Sequence, residues 1–301
     1  MANRPGFDRR TLLAASSASA ALLAQASQAH AARKAPTKKL STYLTYAVNV
    51  EMFWKDKPFL DRLKAVGDHG LSHFEFWGHN DKDIAAIAAL CAERKLTPVQ
   101  FIAGWGLNGP DDRAKFLKNL PTAISKAKDL GVKMMTVVAG MNRKDVSREQ
   151  QTAEVITSLK AAAEVVAKDN ITLILEPLNP LVDHPGSFVF RSDHAAEIIT
   201  AVNSPNIKIL FDVYHQQISE GNLSGNIPKY KDLIGYFQIA DHPGRHEPET
   251  GEINFGHVLS VIASVGYTGP VGLEFTPKGN AKPAIDAVLR ADKAAKARAT
   301  T

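Results

Sequence analysis

The sequence predicts an α/β protein built as a (β/α)8 TIM barrel, and three observations carry that expectation. From Leu40 onward, short apolar or β-branched runs alternate with longer segments of helical period, as parallel strands joined by right-handed crossovers do. Eight such units fit between Leu40 and Thr301, and this barrel usually needs ~250 residues. No Gly-rich phosphate turn follows the first run, whereas an open doubly wound sheet, the structural alternative, usually shows one.

The strand candidates are, in order, STYLTYA (41–47), HFEFW (73–77), PVQFIAG (98–104), KMMTVVAG (133–140), ITLILEPL (171–178), IKILFDVY (207–214), IGYFQIAD (234–241) and GPVGLEF (269–275). Each is a short run bounded by turn residues or by a helical pattern. Between them lie helical segments over 81–95, 151–169, 192–202 and 255–266. In the first of these, Ile84, Ile87, Ala88 and Cys91 recur at i, i+3, i+4 and i+7, which makes one buried face and reads Cys91 as core. No domain boundary shows inside 40–301, so a single catalytic barrel is expected there.

Composition narrows the class. The chain has 301 residues, 45% of them hydrophobic, and one cysteine, so a disulfide framework is excluded and no Cys/His spacing suggests structural zinc. The formal charge of +5 is mild and partly terminal, which does not argue for nucleic acid. Arg9 and Arg10, followed by Thr11, Leu12 and Leu13, precede a weakly apolar run to Ala24 and then Ala29-His30-Ala31. That layout predicts a signal peptide over 1–31 of twin-arginine type, with cleavage near Ala31 and a basic linker over 32–39. An amphipathic helix or membrane anchor is the alternative. The run is too short and too rich in Ala and Ser to span a bilayer, which needs about 20 strongly apolar residues. The expected partners are the twin-arginine export machinery and a small-molecule substrate. The expected location is periplasmic or otherwise exported, and a homo-oligomer is left open.

In a barrel, chemistry belongs at the carboxyl ends of the strands. The last four strand candidates each finish with a residue that apolar packing would not choose: Glu176, Asp212, Gln238 and Glu274. They recur at intervals of about one βα unit and should converge on the barrel axis. One acid at a strand end is often a helix cap. Four in register are hard to explain that way, because clustered carboxylates without a cation repel and desolvate one another. Three carboxylates and an amide oxygen form a hard shell suited to Mg²⁺ or Mn²⁺. His215 and Arg245 are donors for substrate oxygens, and Trp77 is either an apolar wall of the pocket or ordinary core. Trp54 and Trp105 follow strands one and three in the same way. His242, His246 and Glu249 read as solvated loop residues.

The segments EPLNP (with Asp183, Pro185 and Gly186 close behind), FDVYHQQISEGNL, FQIADHPGRHEPETGEINF and GLEFTP resemble hydroxypyruvate isomerases. That family is a branch of the xylose isomerase-like barrels that also holds the ketose 3-epimerases. The resemblance spans most of 40–296 and is strongest over 171–277. It implies that Glu176, Asp212, Gln238 and Glu274 ligate a divalent metal and that Glu176 and Glu274 also move protons. It points to an isomerase acting on a small keto-sugar or hydroxy-keto acid, hydroxypyruvate and tartronate semialdehyde being the type, through an enediolate. The epimerases tend to carry His at the position of Gln238. A ketose 3-epimerase, a keto-sugar lyase or dehydratase, a barrel-type phosphodiesterase and an exported carbohydrate-binding protein are the competing readings.

Overall fold

Among the described residues, nine strands, all paired in parallel, run in the order β3-β2-β1-β9-β8-β7-β6-β5-β4. They are β1 Thr45–Asn49, β2 His73–Glu75, β3 Thr97–Pro98, β4 Gln100–Trp105, β5 Met134–Val138, β6 Thr172–Leu175, β7 Ile207–Asp212, β8 Ile234–Ile239 and β9 Pro270–Leu273. The computed structural model describes residues 40–299, so the expected signal peptide and linker lie outside the described residues. β3 and β4 are two halves of one stave, interrupted at Val99: β3 pairs with β2, β4 pairs with β5, and Ile102 N–H donates to Trp77 O at 3.0 Å across the seam. The result is the expected eightfold TIM barrel.

Alternation along the strands separates two cores. Leu173 and Leu175, Ile209 and Phe211, Phe237 and Ile239 face outward into a large apolar layer under the helices. On the opposite face of the strands, Ile174, Leu210 and Tyr236 join Ala47, Val99 and Met134 in a small cluster that fills the barrel. A strand repeats every two residues, so the residues two places beyond this inner layer face inward again, at the carboxyl end. Those residues are Asn49, Thr136, Glu176, Asp212 and Gln238.

Element ends follow local chemistry more closely than apolar runs do. β6 stops at Leu175 rather than 178 because Pro177 and Pro180 have no N–H for the ladder. β5 stops before Gly140, whose φ of +105° turns the chain. β1 begins at Thr45, later than 41. The helix expected over 151–169 starts earlier, at Arg148, because Ser147 and Gln150 form a reciprocal capping box, and it ends at Val166 in a 3-10 turn. The helix at Ile84–Arg94 begins after Asp83, whose side chain accepts Ala86 N–H. Cys91 is half-buried on that helix against the core, and burial pushes its thiol up to about 11. Further helices cover Phe59–Asp68, Pro110–Leu130, Val213–Ser219, Leu223–Tyr230 and Ala281–Ala299. Among the described residues, no helix is long and apolar enough to cross a membrane.

Candidate active site

The inward alternation delivers the four strand-end residues together. Asp212 pairs in register with Gln238, and Gln238 with Gly272, two residues before Glu274. Glu176, Asp212, Gln238 and Glu274 are all buried. Glu176, Asp212, Glu274 and His215 each offer one ligand atom within 4.8 Å of the others. The grouping thus includes a histidine that the sequence placed on the substrate side.

The hydrogen bonds around His215 decide which role it can take. Asn179 Oδ1 accepts the backbone N–H groups of Val182 and Asp183, so its Nδ2 must turn toward His215 Nδ1, at 2.7 Å. Asn179 N–H also points at Nδ1, at 3.3 Å. Nδ1 is therefore an acceptor. Burial, with Arg245 nearby, holds the imidazole well below its usual range and so neutral. The single ring hydrogen is then on Nε2, 3.5 Å from Asp212 and 3.9 Å from Glu176. Such a nitrogen donates and does not ligate a cation. The geometry favours the substrate-side role over the metal-side one.

Arg245 reaches the same place from the loop after β8. Its Nη2 donates to Glu274 Oε2 at 2.6 Å and lies 3.5 Å from Asp212 Oδ2 and 3.3 Å from His215 Nε2. Its guanidinium also sits 5.0 Å above the ring of Tyr214. Asp241 builds the loop that carries it. The buried Asp241 carboxylate accepts the N–H groups of His242, Thr250, Gly251 and Ile253. In that loop His246 bonds Thr276 O and Glu249 pairs with Arg290, as structural polar residues do. Trp77 is 38% exposed, and its Nε1 donates to Glu274 Oε1 at 2.7 Å, so it is part of the site. Trp105, half-exposed, approaches the site through the ring of His184, which in turn lies against His215. Trp54 instead packs on Phe53 and His69.

The first half of the barrel adds residues that the sequence reading missed. Glu75, at the end of β2, is fully buried. Asn49 Nδ2, Gln238 Nε2, Gln100 Nε2 and Tyr236 OH all donate to its carboxylate. Asn49 Nδ2 also reaches Glu274 Oε1, at 3.0 Å. The signal was available: Asn49, Glu75 and Thr136 occupy inward positions of their strands, but they are flanked by apolar and aromatic residues and do not terminate long apolar runs.

Four carboxylates thus share one buried space with Arg245. Burial, opposed by Arg245 and reinforced by Glu274, pushes Asp212 up to about 7. Burial and the charge of Glu274 push Glu75 up to about 7 as well. Burial, then Glu274 and Asp212, raise Glu176 well above the usual carboxylate range. A divalent cation would relieve this repulsion. Gln238 Oε1 fits one too, because it is buried and accepts no hydrogen bond. Three carboxylates and that oxygen make an all-oxygen donor set.

Residues 63–293 match the family described as xylose isomerase-like TIM barrel. The hydroxypyruvate isomerase of Escherichia coli (strain K12) is 34% identical over 244 residues, covering 78% of this chain and 94% of that protein. The 2-oxo-tetronate isomerase of Cupriavidus necator is 32% identical over 242 residues, covering 77% of this chain and 93% of that protein. Among solved structures, a Brucella melitensis protein described as AP endonuclease, family 2, matches with a TM-score of 0.77 at 29% identity, covering 80% of this chain and 96% of that one.

Proposed function

The chain belongs to the hydroxypyruvate isomerase family of the xylose isomerase-like TIM barrels and is an isomerase, and we propose that it shifts the carbonyl of a short hydroxy-keto acid between neighbouring carbons. Hydroxypyruvate and tartronate semialdehyde are the substrate and product of that type. The observation that carries the reading is an unequal pair of glutamates facing one buried space. Glu274 accepts from Arg245, Trp77 and Asn49. Glu176 is driven toward its protonated form by burial. Two carboxyl groups so differently partnered, facing one space, can serve as base and acid on either side of a bound substrate.

Glu176, Asp212, Gln238 and Glu274 would hold Mg²⁺ or Mn²⁺. When bound, the cation supplies Lewis-acid stabilisation of the negative charge on an enediolate. Glu274 takes a proton from the hydroxyl-bearing carbon, Glu176 returns one to the former carbonyl carbon, and the hydroxyl proton passes to the former carbonyl oxygen, so the substrate neither gains nor loses a proton; exchange with solvent returns the two glutamates to their starting states. Arg245, with His215 Nε2–H, binds the substrate carboxylate and its adjacent oxygen. Trp77 fixes the Glu274 carboxylate and covers one side of the space. A phosphodiesterase would want several metal-bridging histidines. The cluster here offers one, His215, with its hydrogen on the inward nitrogen.

Proton NMR of hydroxypyruvate in D₂O with the enzyme tests the reading. Conversion should stop with EDTA and return with Mn²⁺ or Mg²⁺. If hydroxypyruvate and short ketoses are bound but neither converted nor exchanged, the binding-protein reading replaces this one. Conversion of ketoses alone, with inversion at C3, would support the epimerase. Arg9 and Arg10 support export of the folded precursor by the twin-arginine route to the periplasm. Normal export of an Arg9→Lys/Arg10→Lys precursor would exclude that route.

A further inference from the structure

Six hydrogen bonds at and next to Glu75 form a network whose direction can be read. Thr136 Oγ1 donates to Gln100 Oε1 at 2.7 Å, which leaves Gln100 only its Nε2 to offer, and that group meets Glu75 Oε2 at 3.1 Å. Asn49 Oδ1 accepts Glu51 N–H at 3.0 Å, so Asn49 likewise turns its Nδ2 inward, to Glu75 Oε1 at 3.2 Å. Tyr236 OH donates to Oε2 at 2.6 Å. Every partner is a donor, so Glu75 accepts at both oxygens. The remaining donor is Gln238 Nε2, at 2.8 Å from Oε1. With Nε2 tied there, Gln238 Oε1 is the atom left over, buried and without a donor. Gly272 leaves the room for this pair: a Cβ there would stand 2.7 Å from Gln238 Cγ and 2.8 Å from Glu75 Oε2.

We propose that Glu75 is a positioning residue that locks the Gln238 carboxamide with its oxygen toward the cation and makes that neutral ligand a stronger donor. This rests on the metal reading given above. An N–H held by a carboxylate puts more negative charge on the amide oxygen, as a carboxylate behind a ligating histidine raises its basicity. A carboxamide in place of Glu75 must turn its NH₂ toward one of the two donor pairs. Facing Gln100, it meets a nitrogen that Thr136 holds in place. Facing Gln238, it asks the amide to turn over and withdraw Oε1.

The test uses the full chain, stripped by chelator, and Mn²⁺ as the probe, with affinity read from the EPR signal of free Mn²⁺. Glu75→Gln should bind Mn²⁺ roughly 10–100-fold more weakly than wild type, the usual cost of losing a partner behind a metal ligand. The exchanged pair Glu75→Gln/Gln238→Glu should regain most of that loss, since one carboxylate again faces one carboxamide. Equal Mn²⁺ binding by wild type and a folded Glu75→Gln overturns the inference while leaving the metal reading intact. Absence of Mn²⁺ binding by wild type overturns both. Mn²⁺-soaked crystals separate orientation from charge: wild type should present Gln238 Oε1 to the ion with Nε2 on Glu75, and Glu75→Gln should not. An ion bound without Oε1 in wild type, or an amide unchanged in the variant, sinks the proposal. Should Glu75→Gln not fold, the wild-type crystal still decides.

Discussion

Glu176 and Glu274 have the same side chain and opposite surroundings, and their substitution should separate binding from proton transfer. A carboxamide at either position keeps an oxygen for a cation but cannot accept the substrate proton. Glu176→Gln and Glu274→Gln are expected to lose roughly 10²–10⁴-fold in kcat, the usual worth of a general acid or base. Asp212→Ala should instead act mainly through weaker Mn²⁺ binding. Steady-state kinetics at saturating Mn²⁺ checks this, and full activity in either Gln variant would remove that glutamate from the proton path. At this scale the sequence was legible where a polar residue closes a long apolar run, as at Glu176, Asp212, Gln238 and Glu274. It was not legible at Glu75, because β2 is only three residues long and the aromatics Phe74, Phe76 and Trp77 dominate its surroundings. Applying the period-two rule to the short strands would have found it.

At the scale of elements, the loop from Asp241 to Ile253 owes its shape to one carboxylate accepting four backbone N–H groups. Gly251 passes so close that a Cβ would stand 2.1 Å from His242 O, so no larger residue fits there. Arg245 adopts a φ of +56° in this loop and donates its own N–H to Asp241 O, which aims the guanidinium back into the barrel. Asp241→Asn keeps the volume but turns an NH₂ toward two backbone donors, and leaving buried donors unpaired costs about 1–3 kcal/mol. Arg245 should lose its seat, raising KM for a carboxylate substrate by about tenfold, equivalent to ~1.4 kcal/mol, while Mn²⁺ affinity holds. A variant with unchanged KM would show that Arg245 is aimed by something else. Loop polarity in the sequence could not distinguish Asp241 from its neighbours, because the distinction lies in which N–H groups the fold brings to it. The helix over 192–202, by contrast, was legible to its ends, since its apolar face is continuous and Asn203 stops it with a φ of +53°.

For the whole molecule, alternation was enough to give the barrel, because eight strand–helix units in one chain leave few other closed arrangements. What alternation could not show is the electrostatic strain of closing it, which appears only when strand ends from opposite sides of the ring meet. Asp212 and Glu75 rise to about 7, and Glu176 rises well above the usual carboxylate range. A carboxyl raised in the fold keeps its proton after the unfolded chain has released it, so between the ordinary carboxylate range and about 7 the native state binds more protons. Stability then falls as pH rises through that window, and above it the full penalty applies. This is the reverse of the usual paired carboxylate, whose contribution is lost on acidification. A bound cation favours the ionised forms and cancels the penalty, and its affinity should rise with pH as it displaces those protons. Chelator-treated protein is therefore expected to melt at progressively lower temperature from pH 5 to pH 8. Mn²⁺ at ~100 times its Kd contributes about 2.7 kcal/mol, which for a chain of this size raises Tm by roughly 4–5 °C, with a larger gain at pH 8 than at pH 5. Scanning calorimetry across that range, with EDTA and with Mn²⁺, decides it. A Tm that stays flat with pH in EDTA, or that ignores Mn²⁺ at pH 8, would mean the four carboxylates are not the strained, cation-seeking cluster their burial implies.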